Sequence, residues 1–171
     1  MIGRRAILAL AALMMASIMA LTACRDTGGG DYVALDGKIF VFNYRVARAT
    51  YLVNLKLLRK PDADMFAVAQ FENPAGGAPI EVREKLWPQN ARTTINSPPV
   101  FCIVKDRPYK VEISIVDAAG KAVQQLSTTV TSNEDQSILP DKPLVMGPHY
   151  TPNDGSVSAP GQPPTSCPPR N

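Results

Sequence analysis

Between Lys38 and Ser132 the apolar residues recur at every second position, in short runs that end at proline, glycine or asparagine. Side chains alternate across a strand and repeat every 3.6 residues around a helix, so this spacing predicts strands with one buried face. Tyr109–Val116 is the plainest case, with Val111, Ile113 and Ile115 opposed to Lys110, Glu112 and Ser114. Lys38–Val46 sets Phe40, Phe42, Tyr44 and Val46 on one face and Ile39, Val41, Asn43 and Arg45 on the other. Thr50–Leu58 alternates through Tyr51, Val53, Leu55 and Leu57, although Tyr51, Leu52, Leu55 and Leu58 also make a helical stripe. Further runs cover Asp64–Glu72, Ile80–Trp87, Arg92–Asn96, Val100–Val104 and Lys121–Ser132. Asp117-Ala118-Ala119-Gly120 joins two of them as a hairpin, glycine supplying the positive φ that such loops often need.

Short strands broken this often by turns predict an all-β fold, an antiparallel β-sandwich, over residues 38–135. The Pro108-Tyr109 start, the alternating strand after it and the Asp-Ala-Ala-Gly hairpin resemble the closing strands of immunoglobulin-like or fibronectin-III-like domains. The resemblance implies a fold and no function. It lacks the disulfide-and-tryptophan core of antibody domains.

The amino terminus follows a different logic. Arg4 and Arg5 precede Ala6–Ala20, an apolar run broken only by Ser17. As a helix this run reaches roughly 22 Å, short of the ~20 apolar residues a membrane span needs, so it reads as the core of a signal peptide. Leu21-Thr22-Ala23-Cys24 follows. Residues 1–24 thereby resemble the signal peptides of bacterial lipoproteins, in which this motif, the lipobox, is cut before the cysteine and the thiol carries lipid. The resemblance implies a signal peptide over 1–23, lipidation of Cys24, and a membrane as the first partner. Two or three acyl chains hold a protein to a bilayer where one binds reversibly. In that family an aspartate after the cysteine favours the inner membrane. Arg25 stands there instead, which places the protein in the cell envelope, with the outer membrane facing the periplasm favoured over the inner. Residues 24–37, including Gly28-Gly29-Gly30, read as a flexible tether whose thirteen residues after the cysteine reach roughly 20 Å.

Removal of residues 1–23 takes Arg4 and Arg5 and no acid, leaving 16 cations against 15 anions and a net charge of +1. No basic cluster stands out, so nucleic acid is not an expected partner. With Cys24 assigned to lipid, Cys102 and Cys167 form an even pair in an oxidising compartment. A bridge between them would contribute roughly 4 kcal/mol through loop closure. Cys102 also lies in an apolar run that suits a buried thiol, and the residues leave both readings open.

Nine of the 16 prolines lie in residues 136–171. Proline gives no donor to a ladder, so this tail is expected to be extended and polyproline-like, and polar enough for disorder over 154–164. Its first half keeps Ile138, Leu139, Leu144, Val145, Met146 and Tyr150. These either dock on a neighbouring protein or cover an edge of their own sandwich, and the second reading is preferred.

Candidate chemistry is sparse. His149 is the single histidine, and a zinc site needs three or four ligands, so no metal and no cofactor are expected. A Cys–His nucleophile using Cys102 or Cys167 competes with a structural use of both thiols. Glu81 with Glu84 and Glu134 with Asp135 read as surface carboxylates, and no glycine run has phosphate-loop spacing. Trp87 is either a partner anchor or a lid on the core. With Leu144, Met146, His149 and Tyr150 it completes the candidate partner-binding residues. The expected function is that of a non-enzymatic envelope lipoprotein that binds or scaffolds another envelope protein. The alternative is a periplasmic carrier or sensor of an apolar small molecule, which requires a cavity between the sheets. A hydrolase comes last.

Overall fold

A computed structural model describes residues 30–157, 164 and 166–169. The segment read as a signal peptide, Cys24 and the stretch up to Gly29 lie outside the described residues, as does part of the tail. Seven strands make two sheets: β1 (Val33–Asn43), β2 (Arg48–Leu57), β3 (Phe66–Phe71), β4 (Ile80–Lys85), β5 (Arg92–Asn96), β6 (Pro108–Val116) and β7 (Ala122–Thr131). One sheet runs β1-β2-β5 and the other β4-β3-β6-β7, every ladder antiparallel. The fourth strand pairs with the third rather than joining β5, where constant immunoglobulin domains put it.

Period two decides β2. Ala49, Tyr51, Val53 and Leu55 are buried, Leu52 turns to the outer face and Leu58 is exposed, so the helical stripe is not used. In β6 the buried set is Tyr109, Val111, Ile113 and Ile115. Aromatic rings bridge the sheets: Tyr51 stacks on Phe71 with centroids 4.9 Å apart, and Phe40 meets Tyr109 edge-on at 5.5 Å. Such pairs add about 0.5–1.5 kcal/mol each beyond the area they bury.

Three expectations need correction. β1 begins at Val33, inside the stretch read as tether. Asp36 is an extra residue in the ladder, since Leu35 pairs with Leu55 and Gly37 with Asn54, a bulge within the stretch read as tether. Val100–Val104 is not a strand. Val100 makes one bridge to Ala49, and Cys102 takes φ 67°. Pro98 and Pro99 offer no amides, and this segment carries the chain from the first sheet to the second, so no ladder can form along it. The tail is not uniformly extended either. It holds a 3-10 turn at Gln136–Ile138 and a minimal hairpin of β8 (Val145–Met146) with β9 (Thr151–Pro152).

Both sheets share two poles. Val33, Leu57, Arg92, Phe66, Lys85 and Val116 lie at the pole where the chain enters β1, by their ladder pairings. Asn43, Arg48, Asn96, Phe71 and Pro108 lie at the other.

Candidate functional site

At the Asn43 pole, the Asn43 side-chain oxygen accepts the Arg45 amide at 3.1 Å and opens a 3-10 turn over Tyr44–Val46. Ala47 at φ 49° then reverses the chain into β2. The Arg45 carbonyl, turned away from both ladders, accepts the Leu144 amide at 2.8 Å. This bond docks the tail on its own domain. The hairpin beyond it is closed by the Asn153 amide on the Leu144 carbonyl at 2.9 Å and the Tyr150 amide on the Gly147 carbonyl at 3.3 Å. Asn153 also donates through Nδ2 to the carbonyls of Pro143 and Val157, both at 2.8 Å. The Arg45 guanidinium stands 5.5 Å from the Tyr150 ring centroid, a cation–π distance.

The result is a group of exposed apolar side chains on one pole. Leu144 is 57% exposed and Tyr150 59%, with Tyr44 and Val157 exposed beside them. Met146 is half-buried and His149 is exposed at the hairpin tip. Four of the five candidate partner-binding residues are thus brought into one hairpin. Trp87 is not. It lies just past the end of β4 at the opposite pole, 45% exposed, with the Lys85 ammonium 4.8 Å from its ring centroid. Tyr44 and Val157 escaped sequence reasoning. Tyr44 continues the inward face of β1 in register, and only the cap at Asn43 turns it out of the strand.

The tail is fixed at two other places. The Gln136 amide donates to the Ile103 carbonyl at 2.9 Å, and Leu139 packs against the core. Further on, Cys167 is joined to Cys102 by a disulfide. Cys102 is held in turn by Tyr109, whose buried hydroxyl accepts the Val104 amide at 2.8 Å and donates to the Cys102 carbonyl at 3.4 Å. This is the tyrosine corner of sandwich domains. Beside it the Tyr51 hydroxyl donates to the Glu72 carbonyl at 2.8 Å. Burial, and next the Glu72 charge, push the Tyr51 phenol well above the usual tyrosine range. The Glu72 carboxylate takes the Arg107 guanidinium at 2.7 Å and the Lys110 amide at 2.9 Å.

The two thiols are oxidised together, which removes the Cys–His pairing. Asp135 accepts the Lys105 amide at 3.1 Å. Among the described residues no three histidine, cysteine or carboxylate side chains converge as a metal site, and no helix is long and apolar enough to cross a membrane. No protein family, curated protein or solved structure matches the chain.

Proposed function

We propose that this chain is an envelope lipoprotein, anchored by acyl chains on Cys24 to the outer membrane on its periplasmic side, that binds or scaffolds another envelope protein without catalysis. The observation that supports it best is the exposed group of Tyr44, Leu144, Tyr150 and Val157 on a pole whose backbone is held by the Arg45, Asn153 and Leu144 hydrogen bonds. Aromatic side chains on a pre-ordered backbone suit a partner surface, because ordering them on binding costs little. The carrier reading requires space between the sheets. There the rings of Phe40, Tyr51, Phe71 and Tyr109 stand in mutual contact.

A photo-crosslinking residue placed at Tyr44 or Tyr150 in intact cells tests the proposal. Both positions should capture the same protein, and Leu144→Asp should abolish that adduct while the cysteine anchor keeps the protein in the envelope. An equivalent probe at Ser127, on the outer face of the other sheet, should capture nothing. Equal capture at Ser127 and Tyr150, or none at either Tyr44 or Tyr150, would remove the basis for the proposal.

A further inference from the structure

Eight residues lie between Cys24 and Val33, the first residue of β1, which makes nine Cα-to-Cα steps. A chain of that length spans at most about 30 Å, so a bilayer that holds Cys24 lies within that distance of the Val33 pole. At this pole the segment after β2, Leu58–Lys60, and the segment after β4, Pro88–Ala91, line one shallow open groove. The Leu57 amide on the Ala91 carbonyl and the Asn90 amide on the Trp87 carbonyl, both at 3.0 Å, hold the two segments in place. Trp87 and Leu58 are each about half exposed there, at 45% and 52%. The Arg59 guanidinium lies 3.4 Å from the Tyr32 ring centroid, and Lys60 follows it.

Of the carboxylates at the pole, Asp64 is ion-paired with Lys85 at 2.6 Å and Asp36 with Arg92, while Asp62 and Asp117 take hydrogen bonds from uncharged donors. Asp62 takes the Tyr32 hydroxyl at 3.3 Å, and Asp117 takes the amides of Ala119 and Lys121 at 2.9 Å. Arg59 and Lys60 line the groove itself beside Leu58, and none of its lining residues is acidic. A half-exposed tryptophan and leucine bordered by arginine and lysine have the composition of a membrane interface: the rings sit at headgroup level, while long basic side chains lay their stems on apolar surface and their charges among phosphates.

We propose that the Val33 pole seats on the bilayer, with Trp87 and Leu58 at the boundary of headgroups and acyl chains and Arg59 and Lys60 against lipid phosphates. The inference rests on lipidation of Cys24, which supplies the proximity. It gives the domain an orientation: the pole carrying Tyr44 and Tyr150 faces away from the membrane, where a partner is met.

Trp87 is the sole tryptophan, so its fluorescence reports the seat without a label. The full-length lipidated protein is extracted in detergent and reconstituted into phosphatidylethanolamine–phosphatidylglycerol vesicles, with and without brominated acyl chains. The expected results are flotation with the vesicles, a blue shift of Trp87 emission relative to detergent, and loss of that emission to brominated lipid. Arg59→Glu with Lys60→Glu should float equally and lose most of the brominated-lipid quenching, and Lys60→Glu alone should lose part of it. A wild-type protein that floats while Trp87 stays open to acrylamide and insensitive to brominated lipid overturns the seat and leaves the anchor standing. A protein that carries no acyl chain by mass and fails to float overturns both. Concentration-dependent shielding of Trp87 in detergent would assign the pole to a second copy of the chain, and overturns the seat as well.

Discussion

Gln124 carries out a role that a strand would otherwise fill. It sits near the start of β7, and its Oε1 accepts the amides of Tyr32 at 2.8 Å and Val33 at 3.0 Å while its Nε2 donates to the Val33 carbonyl at 2.8 Å. β1 has no ladder partner on this side, because β7 belongs to the other sheet. One side-chain amide therefore supplies the donor and the acceptor that a neighbouring backbone would. Gln124→Ala removes all three bonds beside Val33, which is only 1% exposed. At about 1 kcal/mol for each lost bond, with some rescue by water because the site is half-buried, the domain should lose about 2–3 kcal/mol. For a urea slope of about 2 kcal/mol/M the midpoint falls by about 1 M or slightly more. Gln124→Glu keeps an acceptor for both amides but turns a carboxylate oxygen toward the Val33 carbonyl, so its midpoint should fall between the two. Equilibrium urea denaturation gives the midpoints. Hydrogen exchange should show the amides of Tyr32 and Val33 losing roughly a hundredfold of protection, the equivalent of 2–3 kcal/mol of local opening. If Gln124→Ala shifts the midpoint by less than about 0.25 M and leaves Val33 exchange unchanged, the side chain is not holding the start of β1.

Reduction of the Cys102–Cys167 disulfide, or its replacement by two alanines, should lower stability by roughly 4 kcal/mol from loop closure. The far-ultraviolet spectrum below the midpoint should stay that of the oxidised protein, because every sandwich strand ends before Ser132; loss of sheet signal in the absence of denaturant would contradict this. Tyr109→Phe leaves the Val104 amide without its acceptor, and thermal denaturation should show a loss of about 1–2 kcal/mol, with faster exchange at Val104. The hydrogen bond and charge of Lys85 hold the Asp64 carboxyl below the usual aspartate range. Since its folded value is the lower one, its small contribution is present above the ordinary aspartate value and is lost as pH falls through the folded value. Lys85→Ala should raise the Asp64 titration midpoint measured by NMR, and an unchanged midpoint would show that the ion pair is not formed in solution.

Much of the sheet architecture is legible in the chain. Arg92–Asn96 has the same bounds as read and as folded, and Tyr109–Val116 differs by one residue at its start. In both, apolar and polar residues alternate between unambiguous turn signals, and the pattern leaves one choice of buried face. Misreadings arose where one local pattern serves two structures. The stretch up to Gly37 has the glycines of a tether, yet its last residues open β1, because Val33, Leu35 and Gly37 find partners on β2 around a bulge at Asp36. The apolar run around Cys102 has the composition of a strand and is a crossover, which its position between strands of different sheets dictates.

The candidate surface is less legible. The hairpin of Leu144 to Asn153 cannot be read from the chain, since its prolines read as extended chain and its closure rests on the bonds from Tyr150 to Gly147 and from Asn153 to Leu144. Its place on the domain depends on the Arg45 carbonyl, about a hundred residues earlier, and on the 3-10 turn that aims that carbonyl away from the sheets. The separation of Trp87 from Tyr150 depends on strand order and ladder register together. Alternation within a run is a short-range property, imposed residue by residue by the backbone and the need to hide one face from water. The pole on which an exposed aromatic ends up is a long-range one, reached through pairings such as Val33 with Leu57 and Phe66 with Val116 that no window of adjacent residues contains.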